Sequence, residues 1–509
     1  MLAVIQSSAV LGVDAYRVDV EVDLGRGMMV FSTVGQPGTS VCEARTRVKS
    51  ALENCGFAFP QRRVTVNLAP ANLRKDGTAF DLPIALGILV AEGKIPETAL
   101  ADTWVAGELS LDGRIRGIRG VIPMAVQARR EGARRIIVPM DNAREAQMVG
   151  DLEIVGAHHL LELVKALVDG GLSPLPSPAA EVETQTDLNR DFDMADVRGQ
   201  SLARRALEIA AAGGHNLLFI GPPGAGKTML ARRLPGVIPP LCAEERLECA
   251  VIASVAGLAE LGRKAFDHRP FRAPHHSVTE AALMGGGPHG RPGEVSLAHH
   301  GVLFLDELPE FKRSALEALR QPLEDGDVVI SRAQYTMTLP SRFMLVASMN
   351  PCPCGYHGHP RQACTCALTA VRNYRNRISG PLMDRIDLQV PVESVSPLEM
   401  RSDTPGESSA AVRSRAIAAR DRQHRRFKGG PTLCNAQMRP ATIRKYCALE
   451  PSASALFARA IDRLALSGRA HDRVLKVART IADLAGSERL EDEHIAEAIQ
   501  FRQLDRETP

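Results

Sequence analysis

Eight residues, GPPGAGKT at 221–228, carry the most specific chemistry in this sequence. They fit the pattern G-x-x-x-x-G-K-[ST]. Gly221, Pro222, Pro223, Gly224, Ala225 and Gly226 form a loop whose backbone N–H groups can close around phosphate oxygens, and a helix start adds positive dipole. Lys227 can reach the β- and γ-phosphates, and the Thr228 hydroxyl can ligate magnesium. The apolar run LLFI before the loop reads as a buried strand, and the residues after it favour helix, which is the setting the motif requires. A nucleoside triphosphate with Mg2+ is the expected ligand.

A second group lies about 80 residues on, in GVLFLDELPEF (301–311). An apolar strand ending in two acids is the Walker B pattern. Asp306 would hold magnesium through water, and Glu307 would polarise the attacking water. Further along, PCPCGYHGHPRQACTC sets Cys352, Cys354, Cys364 and Cys366 as C-x-C, nine residues, C-x-C. These four either hold a structural Zn2+ in a closed tetrahedral site, with His357 and His359 as substitute ligands, or remain free thiols. Four thiolates leave no open position, which argues against catalytic zinc.

Between the two nucleotide motifs, residues 271–301 are rich in Gly and His, including His275, His276, His289, His299 and His300. No spacing there sets histidines and a carboxylate on one helix face, so a flexible pore loop is expected in preference to a metal site. Residues 326–343 alternate like a β-hairpin. Arg332, Gln334 and Tyr335 near its tip suit phosphate contact and base stacking on a threaded polymer; an ordinary surface hairpin is the alternative.

The elements that must position these groups are legible in outline. A length of 509 residues predicts two to four domains, and 45% hydrophobic with 24% charged residues is ordinary for a soluble globular chain. A net charge of +3 is too small to identify a partner, and ten cysteines do not make a disulfide scaffold. The apolar start has no basic region before it, so a first strand is expected instead of a signal peptide. No run reaches the roughly 18–20 apolar residues that span a bilayer, so no membrane partner and a cytoplasmic location are expected.

Val18, Val20, Val22 and Leu24 alternate with polar residues, the period of a half-buried strand. Helices are predicted near 41–52, after Asp81 and over 121–131, strands over 62–70 and 134–139, and a tight turn at Asp112-Gly113. Residues 170–187, rich in Pro, Ser and Gly, read as a linker. The run 410–430 carries seven Arg/Lys against Asp421 and is expected to be a solvated helix face, with a nucleic-acid-facing helix as the alternative. Helices are then predicted over 453–464, 469–484 and 491–503.

Two resemblances extend this reading. RKDGTAFDLPIA (74–85) and GRIRGIRGVIPMAVQARREG (113–132) resemble the segments that carry the serine and lysine of Lon proteolytic domains. The serine position falls on Ala79 and the lysine position on Ile122. Neither side chain can act as nucleophile or base, so peptidase activity is not expected, and the domain would serve assembly or partner contacts. The rest resembles AAA+ motors. That resemblance implies adenine contacts at Val197 and Gln200 and a water-orienting Asn350 (sensor 1). It also implies Arg385 as a finger reaching a neighbouring subunit's site, a surface salt bridge with Asp384 or Asp387 being the alternative, and Arg469, with Arg473 next and Arg479 also present, as sensor 2.

Taken with FRAPHHS, NPCPCG, SGPLMDRIDL and RVLKVARTIADL, the chain resembles the ComM/YifB family of magnesium-chelatase-like AAA+ ATPases. The implied fold class is α/β, with an inactive Lon-protease-like (ribosomal S5 domain 2-like) N-terminal domain, an AAA+ P-loop ATPase core and a C-terminal helical lid. The expected boundaries are 1–170, a linker at 171–190, 191–395 and 396–509. The family implies an ATP-hydrolysing homo-hexamer that translocates on single-stranded or branched DNA, a helicase promoting branch migration in recombination and natural transformation, with recombination proteins as further partners. A chelatase-type ATPase that remodels a protein partner is the alternative.

Overall fold

The alternating valines predicted as one strand lie on the longest ladder in the chain. A computed structural model describes residues 2–176, 192–258, 268–287, 290–332, 335–395, 406–430, 432–464 and 467–502. In it, β1 (Leu2–Leu11) pairs antiparallel with β2 (Asp14–Gly25) from end to end, and Val18, Val20 and Val22 are fully buried. β3 (Phe31–Val34), β4 (Arg63–Ala69), β5 (Thr103–Val105), β8 (Arg135–Pro139) and β9 (Glu153–Ala157) complete a mixed sheet of order β3-β4-β2-β1-β5-β8-β9. β6 (Glu108–Leu109) and β7 (Ile115–Arg116) form a short ribbon around the expected Asp112-Gly113 turn. The Asp81–Ala91 helix, buried at every position, packs on β1 and β2. The residues of the expected linker beyond 176 lie outside the described residues.

The two positions of the Lon-type dyad share one apolar cluster. Ala79 and Ile122 pack there with Trp104 and Ala125, and also with Ala250 from the Ala243–Ala256 helix. Ser254 of that helix accepts the Gly120 N–H on its carbonyl at 3.1 Å and the Ile122 N–H on its hydroxyl at 3.4 Å. A helix from the nucleotide-binding half of the chain thus packs against both positions.

The second half is built on five parallel strands: β10 (Leu217–Ile220), β11 (Phe271–Arg272), β14 (Val302–Leu305), β17 (Met344–Met349) and β18 (Leu388–Pro391), in the order β11-β14-β17-β10-β18. β14 and β17 are buried at every residue, which their unbroken apolar runs require of strands covered on both faces. Two antiparallel ribbons project from this sheet, β12 (Gly285–Gly286) with β13 (Arg291–Pro292), and β15 (Asp327–Arg332) with β16 (Tyr335–Pro340). One face of the sheet shares a continuous apolar cluster with the Ser201–Gly213 helix and with the helices Ser409–Arg426, Pro440–Tyr446, Pro451–Leu464, Gly468–Ala485 and Asp492–Gln500.

The basic run is a helix that spends part of its charge inside the chain. In the Ser409–Arg426 helix, Arg415 pairs with Glu208 and Glu407, Arg420 donates to the Ala211 carbonyl at 2.9 Å, Arg422 to the Asp483 carbonyl at 2.8 Å and Arg426 to the Asp483 carboxylate at 2.8 Å. Arg415, Arg425 and Lys428 remain exposed, as a solvated face would have them, while Arg420, Arg422 and Arg426 tie helix to helix. Charge counting could not show this, because the acceptors lie up to about 200 residues away in sequence.

A buried carboxylate joins the C-terminal helices to the sheet. Asp387, at the entry to β18, accepts the Asn216 N–H at 3.0 Å, lies 3.4 Å from His215 and pairs with Arg473 of the Gly468–Ala485 helix. Burial alone would raise its pKa, yet Arg473 and His215 hold it well below the ordinary carboxylate range. Its stabilising contribution is therefore complete above the unfolded value of about 4 and is lost as pH falls below it. Replacing Asp387 with Ala leaves Arg473 without this partner, and a loss of about 3–5 kcal/mol in chemical denaturation is expected. The same variant should flatten the wild-type fall in stability below pH ~4.

Candidate active site

Three strand ends meet at the nucleotide motifs. Register pairs Ile220 with Met349 and Leu305 with Ala347, so the residues after β10 and β14 arrive beside the end of β17. Thr228 donates its hydroxyl to Asp306 Oδ2 at 2.8 Å, and Ser348 donates to Asp306 Oδ1. A hydroxyl and a carboxylate converging here are the hard oxygen donors that magnesium accepts, so this pair fits the ion. Ser348 was not singled out in the sequence. Its only signal is a small polar residue two places before Asn350 in an apolar strand.

Glu307 is exposed and adopts a left-handed backbone with φ of 55°. That conformation costs on the order of 1 kcal/mol for a non-glycine residue. It is offset by its N–H, which reaches Asp306 Oδ1 at 3.2 Å and Ser348 Oγ at 3.3 Å. The turn places the Glu307 carboxylate next in chain to the Asp306 donor set, open to solvent.

The Lys227 ammonium is held by three acceptors: the Gly221 carbonyl at 2.6 Å, the Pro222 carbonyl at 2.9 Å and Asn350 Oδ1 at 3.0 Å. Burial pushes its pKa down while Asp306 and Glu307 pull it up. Lys227 and Asn350, expected to act on the same phosphate, are therefore already in contact. Gly224 and Gly226 have φ of 77° and 87°, which closes the loop. Gly221 has no space for a side chain, since a Cβ would lie 2.1 Å from the Val392 carbonyl oxygen.

Val197 is buried, and Gln200 bridges the Ala225 and Glu393 carbonyls through its side-chain amide. A cavity of about 1320 Å³ opens beside Gly221 and Pro222, bordered by Val392, Arg502 and, from the start of the Gly468–Ala485 helix, Ser467 and Ala470. Exposed Arg469 lies between these last two. The other two arginines offered for the same role are committed elsewhere. Arg473 pairs with Asp387, and fully buried Arg479 binds Asp483 and the carbonyls of Ser487 and Glu488. Arg385 is buried, donates to the Pro381 carbonyl at 2.7 Å and pairs with Glu324, not with the adjacent Asp384 or Asp387.

The two projecting ribbons lie side by side. A Cβ on Gly286 of β12 would lie 3.4 Å from Ile330 and 4.0 Å from the Arg332 guanidinium of β15. Arg332 pairs with Tyr335 across the last rung of the hairpin, and Gln334 lies outside the described residues. Much of the expected pore loop is folded, with Phe271–Arg272 a strand of the sheet and short helices at Glu280–Met284 and Glu294–Leu297. His289 lies outside the described residues.

The structure does set a carboxylate against two of the histidines, which spacing within the segment could not reveal. Glu248 lies 2.9 Å from His299 Nε2 and 2.6 Å from His300 Nε2, and these contacts hold its carboxyl far below its usual range. His299 Nδ1 accepts the Arg342 N–H at 3.0 Å, so its Nε2 carries the proton. A protonated nitrogen donates to Glu248 and cannot ligate a metal, so this is a hydrogen-bonded latch.

The four cysteines converge, with all sulfurs within 4.8 Å of one another. Backbone N–H groups of Tyr356 and Thr365 bring the Cys354 thiol down to about 5. Cys364, although it accepts the Cys366 N–H, is pushed up to about 12 by burial and neighbouring thiols. His359 does not join them; its Nδ1 accepts the Arg361 and Gln362 N–H groups at 3.1 and 3.0 Å.

Comparison with known proteins gives the family. Residues 193–400 match the family described as magnesium chelatase, subunit ChlI; residues 20–142 match subunit ChlI of Mg-chelatase, and 406–502 its C-terminal part. The chain is 44% identical over 506 residues to the YifB protein of Salmonella typhimurium, covering 99% of this chain and 98% of that one. It is 44% identical over 511 residues to competence protein ComM of Haemophilus influenzae, with coverage of 99% and 98%. A shorter match, 31% over 159 residues, links 29% of this chain to 28% of Lon protease 2 of Bacillus subtilis. Among the described residues no helix is long and apolar enough to cross a membrane.

Replacing Ser348 with Ala removes a hydrogen bond that orients Asp306 and one that holds the Glu307 turn. The expected outcome is a fall of about 10–100-fold in ATP turnover and a rise in the Mg2+ concentration for half-maximal rate. Steady-state ATPase assays across a magnesium titration read both.

Proposed function

Because the chain belongs to the ComM/YifB family of magnesium-chelatase-like AAA+ ATPases, we propose that it is an ATP-driven ring motor that moves branched DNA in recombination. The observation that carries this reading is the end-to-end identity to a competence protein, joined to an intact nucleotide junction. The assignment of residues 1–170 as a Lon-like domain, 171–190 as linker, 191–395 as motor and 396–509 as lid belongs to the same proposal.

In this reading Thr228 and Asp306 hold magnesium, which offsets phosphate charge when bound. Val197 and Gln200 flank the adenine. Lys227 exchanges the Gly221 and Pro222 carbonyls for phosphate oxygens, and Asn350, released from the ammonium, orients water. Glu307 accepts a proton from that water as its oxygen bonds to the γ-phosphorus and the bond from that phosphorus to the β–γ bridging oxygen breaks, with ADP leaving. Arg469 reaches the phosphates from the lid. Arg385 is turned into its own subunit, so a finger role requires that it leave Glu324 when subunits close into a homo-hexamer. Arg332 and Tyr335, paired across the hairpin, supply the contacts to the translocated strand, and the β12–β13 ribbon lies beside Arg332.

ATP turnover should rise several-fold with a four-way DNA junction and the junction should exchange strands, with Lys227→Ala as the blank. Arg332→Ala should lose the stimulation at an unchanged DNA-free rate. No stimulation, together with no shift of junction DNA in the presence of a non-hydrolysable ATP analogue, would overturn the DNA reading. It would favour remodelling of a protein partner, to which the chelatase subunit matches already lend support.

A further inference from the structure

The segment that follows Asn350 does more than leave the site. Cys352 is buried two residues after Asn350, and its sulfur lies 3.3 Å from that of Cys354 and 3.7 Å from that of Cys364. Cys354 and Cys364 sulfurs are 3.6 Å apart, and the Cys366 N–H points at Cys364 Sγ at 3.4 Å. Four thiolates around one zinc ion at about 2.3 Å lie about 3.8 Å from each other. A disulfide would need about 2.05 Å. The spacings therefore fit one shared ion and fit no bonded pair.

The same loop rests on the phosphate loop. A Cβ on Gly355 would lie 2.4 Å from Pro223 Cδ, so only glycine permits the approach. Arg375 donates to the Pro351 carbonyl at 3.3 Å, holding the loop's start, and His357, Pro360 and Arg361 border the cavity beside Gly221 and Pro222. One end of the loop thus carries Asn350 on the Lys227 ammonium, and its turn carries Gly355 on Pro223.

We propose that Cys352, Cys354, Cys364 and Cys366 bind one structural zinc ion, and that this ion clamps the loop against Pro223 so that metal loading sets nucleotide affinity. The second half rests on the reading of 221–228 as the nucleotide site and is independent of any DNA substrate. A closed tetrathiolate has no position for substrate or water, so its effect is mechanical. Without the ion, a loop with two C-x-C pairs and few apolar contacts has little to order it, and both Asn350 and Pro223 lose a fixed neighbour.

The test uses the full chain, purified under reducing conditions without added metal. Elemental analysis should find one zinc per chain, and the double substitution Cys364→Ser/Cys366→Ser should lose it. Lys227→Ala should keep zinc while losing nucleotide, which separates failure of the metal proposal from failure of the nucleotide site. Binding of a fluorescent ADP analogue should weaken about fivefold or more in the cysteine variant. It should weaken equally in wild-type chain stripped by a chelator, and be restored by zinc added back; this covers the case in which the variant misfolds. Absence of zinc, or iron in its place, overturns the assignment. Zinc whose removal leaves nucleotide affinity unchanged overturns the clamp.

Discussion

The Asp306 carboxylate is the group on which the nucleotide site depends. It takes one hydroxyl from the phosphate-loop side, Thr228, and another from the neighbouring strand, Ser348. Those two bonds can form only if β10, β14 and β17 are in their observed register, because a slip of one residue would turn every side chain to the opposite face. The parallel sheet is in this sense a device for aligning three chain ends. Its apolar strands gain burial on both faces, and Asp306, Glu307 and Asn350 stand just past the ends of β14 and β17.

What could be read from the sequence follows from how local each signal is. The phosphate loop, the Asp306–Glu307 pair and the alternating β2 strand lie within a dozen residues each, and the structure sets them in the elements expected. The partner of Arg385 was missed because Glu324 is 61 residues away, and two adjacent acids offered a nearer answer. The Glu248 contact to His299 and His300 spans about 50 residues and was invisible for the same reason. Arg469, Arg473 and Arg479 lie on one helix and looked equivalent; only the buried carboxylates Asp387 and Asp483 distinguish them.

The arginines of the Ser409–Arg426 helix make a related point about charge. A run of cations suggests a surface for phosphates, yet four of these side chains end on acceptors within the chain. A guanidinium has a long stem and five donors, so it can reach carbonyls and carboxylates on neighbouring helices and still satisfy its geometry. Together with the Asp387–Arg473 pair, this makes the C-terminal helices and the sheet share polar bonds as well as an apolar cluster. A change at Asp387, at the entry to β18, thereby acts directly on the helix that carries Arg469.

The Ala243–Ala256 helix lodged against Ala79 and Ile122 couples the packing of the two halves of the chain. Its Ser254 carbonyl and hydroxyl accept from Gly120 and Ile122, and Ala250 fills space in the same apolar cluster as Ala79 and Trp104. A larger side chain at Ala250 would therefore push on residues of both halves at once, so the two cores are not free to vary independently at this seam.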